Sequence, residues 1–202
     1  MGGAKYMVTF INDYFRRCWV YPIKKKSDVF LVFKEYKARV ELESDKKIKC
    51  LRMDNGGEYT DGKQEGIQRQ FTVAYTPQQN RVEERTNRTL TERIRVMLKT
   101  AGLPNLLWAE ATKTTCYIVN RSPSTAIGLK TAMEMWTGKP ADYSYLHAFG
   151  CPVHVMYNAQ ERIKLDAKFR RCIFLRYADG VKEYRLWDPT AHKIIISRDV
   201  IL

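Results

Sequence analysis

The sequence predicts an α/β domain followed by a small all-β domain, and three observations carry that prediction. Through the first half of the chain, β-branched and aromatic runs alternate with segments whose apolar residues recur at helical spacing. Residues 122–143 interrupt this pattern with two basic and two acidic side chains among Ser122, Pro123, Ser124, Gly128, Gly138 and Pro140, the composition of a connector. From residue 144 onward, short β-rich runs follow one another closely, separated by Asp, Gly, Asn or Pro, as in a small barrel. The expected division is 1–121 for the α/β domain, 122–146 for the linker and 147–202 for the β domain.

Lys5 to Ile11 and Cys18 to Ile23 are β-rich and joined by the polar Asn12 to Arg17, which predicts a hairpin. Ser27 and Asp28 precede Val29, Val32, Phe33, Tyr36 and Val40, spaced as one helix face. Lys47 to Met53 reads as a strand ending at Asp54-Asn55-Gly56-Gly57, so a βαβ unit is expected with an acidic residue at its carboxyl end. Phe71 to Tyr75 reads as a short strand stopped by Thr76-Pro77. A long helix is predicted from about Val82 to Ala101, because Leu90, Ile94, Met97, Leu98 and Ala101 share one face while Gly102 and Pro104 end it. Glu84, Arg88, Thr91 and Arg95 fall roughly 100° from that stripe, at the rim of the core. A further helix is expected over Asn105 to Val119. Pro152 to Met156, Cys172 to Tyr177, Glu183 to Asp188 and Lys193 to Ser197 supply the strands of the β domain.

The composition narrows the partners. With 202 residues, 45% hydrophobic and 12% aromatic, the chain can fill a core. Its 35 Lys and Arg against 22 Asp and Glu give a net charge of +13, which points to a polyanion such as nucleic acid. No run approaches the ~18 to 20 apolar residues that span a bilayer, and MGGAKYMVTF lacks a signal-peptide core. The expectation is an intracellular protein of nucleus or cytoplasm with no membrane partner. The five cysteines, Cys18, Cys50, Cys116, Cys151 and Cys172, contain no CxxC pair and are read as reduced thiols. His147, Cys151, His154 and Cys172 match no zinc-finger spacing and are read as ordinary β-domain residues.

Two carboxylates are candidates for chemistry. Asp54 sits at a strand's carboxyl end before a glycine turn, where α/β sheets present catalytic groups, although Asp, Asn and Gly also make turns for steric reasons alone. Glu84 is either a solvated charge paired with Arg88 at i+4 or, beside Asp54, part of an oxygen cage for Mg²⁺.

The stretches TFINDYFRRCWVY (9–21), LRMDNGGEYT (51–60), YTPQQNRVEERTNRTL (75–90), HAFGCPVHV (147–155), IFLRYADGVKEYRLWDP (173–189) and the closing SRDVIL resemble, in order, the integrase region of copia-type retrotransposon polyproteins. The resemblance implies a ribonuclease H-like core with a mixed sheet, followed by a small SH3-like domain. It implies an Asp-Asp-Glu triad holding two metal ions for attack on a phosphodiester, with Asp54 at the second position and Glu84 at the third. It places the first Asp on a strand upstream of Tyr6 to Ile11, before Met1. Asp13 matches instead the second residue of the family's Asp-Asp-Tyr-Ser-Arg turn. Other departures are Asn12 and Phe15 in that turn, Arg81 for a Gly, and Arg176 for the Gly of Phe-Leu-Gly-Tyr. Only twenty-nine residues separate Asp54 from Glu84, several fewer than the family has. The absent strand belongs in the middle of the sheet, so either residues 5–11 pair with 47–53 or the sheet opens. Arg176 is expected to cost ~1 kcal/mol or more if its position needs a glycine conformation.

The functional expectation is an integrase fragment that binds nucleic acid by family but is catalytically dead alone. Phosphate contacts are assigned to Lys24, Lys25, Lys26, Asn80, Arg81, Arg85, Arg88 and Arg95, with DNA bound non-specifically, RNA as a second ligand and self-association as in integrases. The alternatives are a co-opted, non-catalytic nucleic-acid-binding module, and an active strand transferase completed by a partner chain.

Overall fold

The computed structural model of the chain describes residues 3–53, 67–71, 77–157, 167–177 and 183–201. The chain divides into two compact units: Gly3–Thr9 with Tyr21–Thr89, and Phe10–Val20 with Leu90–Leu202 and the terminal Met1–Gly2.

The N-terminal hairpin joins β1 (Tyr6–Ile11) to β2 (Cys18–Ile23). Backbone bonds from Lys5 N to Ile23 O and from Asn12 N to Arg17 O, each 2.8 Å, bracket the pairing. Asn12 makes the turn, because its Oδ1 accepts from Tyr14 N at 3.1 Å and Phe15 N at 2.8 Å while Arg16 takes a φ of +57°. A 3-10 turn at Lys26–Asp28 leads into α1 (Val29–Ser44), and Asp28 Oδ2 accepts from Lys25 N at 3.0 Å. Val29, Phe33, Tyr36 and Val40 are buried, which is the face the periodicity predicts. β3 (Cys50–Met53) then pairs in parallel with β4 (Gln68–Phe71).

Two sequence expectations change here. The βαβ unit does not form as a paired sheet: among the described residues β3 is hydrogen-bonded to β4, and β1 to β2, in two separate two-stranded sheets. Of the two outcomes expected for the sheet, direct pairing of residues 5–11 with 47–53 or opening, the described residues show opening. The strand expected over Phe71 to Tyr75 sits earlier, at Gln68–Phe71, while 72–76 lie outside the described residues.

In the other unit, a 3-10 turn at Asn105–Leu107 follows Pro104 and opens α3 (Trp108–Val119). Within the stretch expected as a linker lies α4 (Ala132–Thr137), capped by Thr131: its Oγ1 accepts from Glu134 N at 3.0 Å, and its own N donates to Glu134 Oε2 at 2.7 Å. Arg17 is buried with its guanidinium 4.6 Å from the Trp19 ring and 4.7 Å from the Trp136 ring, packed against two indoles that meet edge to face at 5.3 Å.

The β domain is one antiparallel sheet in the order β8-β7-β6-β5-β9, built from β5 (Pro152–Met156), β6 (Phe169–Tyr177), β7 (Tyr184–Asp188), β8 (Lys193–Ser197) and β9 (Val200–Ile201). Among the described residues β8 and β9 are not paired with each other, so the sheet is open where the sequence suggested a closed barrel. β6 is packed on both faces. Cys172 and Phe174 join Val153, Val155 and Leu186 in one core, whereas Leu175 joins Ile94, Leu98, Leu107, Ala111 and Trp187 in another. The period-two alternation of a strand thus serves two apolar cores at once. Thr114 Oγ1 on α3 donates to Leu175 O at 2.6 Å and ties the helix to the strand.

Candidate nucleic-acid interface

α2 (Pro77–Thr100) carries most of the predicted site residues. Pro77 occupies the first helical position, where its missing N–H costs nothing and its fixed φ favours entry. Leu90, Ile94 and Leu98, at 0%, 8% and 4% exposure, form the buried stripe. The helix ends where Gly102 N donates to Lys99 O at 3.1 Å and Leu103 N to Leu98 O at 3.0 Å, with Gly102 at φ +63°. This is the Schellman arrangement, which a residue with a Cβ enters only at a cost.

The opposite face is basic. At 100° per residue, Arg81, Arg85, Arg88, Glu92, Arg95 and Lys99 fall on one arc centred about 140° from the apolar stripe, spread over about 27 Å of helix. All six are exposed. Lys99 also sits in the last turn, where the helix dipole favours a cation. Lys99 and Glu92 escaped the sequence reading, although the i, i+4, i+7 spacing that marks Arg81, Arg85 and Arg88 continues through both.

The other predicted residues distribute as follows. Glu84, Arg88, Thr91 and Arg95, expected at the core rim, are exposed; among the described side chains of α2 the buried stripe is Leu90, Ile94 and Leu98. Asn80 lies within α2, and its side chain is outside the described residues. Lys24, Lys25 and Lys26 are exposed on the approach to α1. Asp54 lies outside the described residues, so its pairing with Glu84 does too. Among the described residues no group of three or more His, Cys, Asp or Glu side chains is placed to hold a metal ion. Of the carboxylates assigned to a divalent ion the described residues present Glu84 alone, which is not a cage, and no chemical step follows from it. His147 packs against the Phe174, Tyr177 and Tyr184 rings, and His154 is exposed on β5.

A second charged cluster was not visible in the sequence. Glu110 on α3 accepts from Arg176 Nε at 2.6 Å, from Arg185 Nη2 at 2.7 Å and from Arg185 Nε at 3.2 Å. Arg176 and Arg185 stand directly opposite each other on β6 and β7, beside a bulge between Phe174 and Arg176. Two like charges in that register repel, and the shared carboxylate offsets the repulsion. Burial pushes the Glu110 carboxyl up, but the Arg185 and Arg176 hydrogen bonds and charges outweigh it and hold the group below its ordinary range. Arg176 is therefore not a strained replacement for glycine. Its φ is not among the positive values, and its guanidinium is an anchor between sheet and helix.

The β domain defines a class first, that of the SH3-like domains of retroviral polymerases. Residues 151–202 match the family model described as "Retroviral polymerase SH3-like domain". The chain is 48% identical, over its whole length, to the Retrovirus-related Pol polyprotein from transposon TNT 1-94 of Nicotiana tabacum, of which the match covers 16%. Over 97% of its length it is 32% identical to the corresponding polyprotein from transposon RE2 of Arabidopsis thaliana, covering 14% of that protein. Among solved structures, a chain of the simian T-cell lymphotropic virus intasome in complex with PP2A regulatory subunit B56 gamma superposes with a TM-score of 0.52 at 12% identity. That match covers 95% of this chain and 69% of that one, a likeness of fold. The chain belongs to the retrotransposon Pol polyproteins of copia type and corresponds to their integrase region. It spans 16% and 14% of the length of these two curated relatives.

Proposed function

We propose that this chain binds nucleic acid through the basic face of α2, with DNA as the main ligand and RNA as a second, and that by itself it catalyses no strand transfer. The observation that carries the binding is the exposed row Arg81, Arg85, Arg88, Arg95 and Lys99 on one helix face. Five cations along about 27 Å, with Glu92 among them, match a phosphate backbone in charge and in reach and read no base edge. Lys24, Lys25 and Lys26 add a second basic patch. The catalytic silence rests on spacing: twenty-nine residues separate Asp54 from Glu84, several fewer than the resemblance calls for, and a two-metal reaction needs its carboxylates in set geometry. Mg²⁺ and self-association are carried over from the family as part of the same reading, and a location in nucleus or cytoplasm accords with it.

Fluorescence anisotropy with a labelled duplex tests the binding. Four or five phosphate contacts predict an affinity that falls about 150- to 500-fold between 50 and 200 mM salt, equally for scrambled sequences. Arg81→Glu with Arg85→Glu should weaken binding and flatten the slope. An affinity indifferent to salt would refute the proposal. For the catalytic part, Mg²⁺ or Mn²⁺ with a terminal DNA substrate should give no cleavage or joining; activity abolished by Asp54→Asn would overturn it.

A further inference from the structure

Cys18 opens β2 and Cys116 lies on α3, 98 positions apart in sequence, yet their sulfurs are 3.5 Å apart. Both side chains are buried, at 1% and 7% exposure. Asn120, one turn after Cys116, clamps the Cys18 peptide on both sides: its Oδ1 accepts from Cys18 N at 2.9 Å and its Nδ2 donates to Cys18 O at 2.8 Å. Cys116 Sγ also lies 3.2 Å from Cys18 O. The amide therefore fixes the backbone of one cysteine against the helix that bears the other, and the sulfurs meet without either element moving.

We propose that Cys18 and Cys116 are a redox couple that a small hydroperoxide oxidises to an intramolecular disulfide. The sulfurs need to close from 3.5 Å to about 2.05 Å. Cys116 is the first to react in this scheme, because the Asn120 Nδ2–H reaches its sulfur as well, at 3.6 Å, and can hold a charge that develops there. Its thiolate attacks one peroxide oxygen, the S–O bond forms as the O–O bond breaks, and the departing hydroxide takes up a proton as water. The Cys18 sulfur, losing its proton, then attacks the Cys116 sulfenic sulfur; the S–S bond forms, the S–O bond breaks, and a second water leaves. The two sulfurs together give up two electrons and the peroxide accepts them. A small dithiol returns both thiols. The closed covalent loop spans nearly half the chain and restricts the unfolded state, so the oxidised protein is the more stable form.

The test uses the full chain in native buffer with hydrogen peroxide, followed by alkylation and peptide mapping without reductant. Free thiols should fall from five to three, and trypsin should release the peptide 18–24 linked to 114–121, a species that dithiothreitol removes. The same oxidation in urea, where the five thiols pair by chance, sets the comparison. A native yield of the linked peptide no higher than in urea overturns the proposal, as does sulfinic acid on Cys116 without linkage. Thermal melting gives an independent reading: peroxide should raise the midpoint of the parent chain and leave that of Cys18→Ser unmoved. An equal shift in both chains would also overturn it.

Discussion

Replacing Arg176 by Gly installs the residue that the resemblance expects there, a change that the sequence expects to relieve strain if the position needs a glycine conformation. The structure predicts the reverse. Arg176 Nε donates to Glu110 Oε2 at 2.6 Å and Nη1 to Tyr177 O at 3.0 Å, from a side chain only 13% exposed. A hydrogen bond to a charged group contributes ~1.5–3 kcal/mol, and the lower end applies because Arg185 still holds the carboxylate. Glycine within a strand adds ~0.5–1 kcal/mol of backbone entropy, and removing one of two facing cations returns a few tenths. Arg176→Gly should therefore destabilise by about 2 kcal/mol. Arg176→Met, which keeps the backbone and most of the stem, should cost about 1–1.5 kcal/mol. Urea unfolding measures both, and hydrogen exchange at α3 locates the loss. An Arg176→Gly chain as stable as its parent would show that the Glu110 cluster holds nothing together.

Acid should loosen the same contact. The Glu110 pKa is held below its ordinary 4.5, so its contribution is complete above that value and is lost as pH falls through the lowered one; Glu110→Gln should remove this part of the acid transition. Gly150→Ala should cost ~2–4 kcal/mol, because Gly150 has a φ of +86° and an added Cβ would run into the Cβ of Ala101, 3.2 Å from its Cα; a melting point within a degree of the parent would refute this. Leu90→Ala, at a fully buried position of α2, should cost ~3 kcal/mol in urea unfolding, and a loss under 1 kcal/mol would mean that the site collapses around the gap.

Elements defined by their own side-chain pattern were legible in the sequence. β2 and β5 fall where their β-branched and aromatic runs lie, and α1 buries four of the five residues that its period selects, Val32 being half-buried. α2 starts five residues earlier than expected, since Pro77 to Arg81 offers no apolar signal, only a proline suited to a first turn. α4 was missed although Thr131 and Glu134 spell a capping box, because six residues between glycines read as connector. What no local pattern reveals is pairing between distant segments. The partnership of β3 with β4, the Glu110 cluster and the Cys18–Cys116 contact join positions far apart in sequence, and each depends on where whole elements come to rest. In the candidate site, the basic face of α2 was readable from its spacing, whereas its exposure was underestimated by placing Glu84 and Arg95 at a rim.

The four tryptophans, Trp19, Trp108, Trp136 and Trp187, all belong to the unit formed by Phe10–Val20 and Leu90–Leu202. Trp19 and Trp136 both pack on a buried guanidinium, Trp187 belongs to the core shared by α2, α3 and the sheet, and Trp108 packs against that core. Indole emission is therefore a private signal of that unit, whereas the amide band of circular dichroism registers both. A denaturant titration followed by the two methods resolves the molecule optically: curves that coincide mean that the halves unfold as one, and curves that separate assign each midpoint to its own half without any label or mutation.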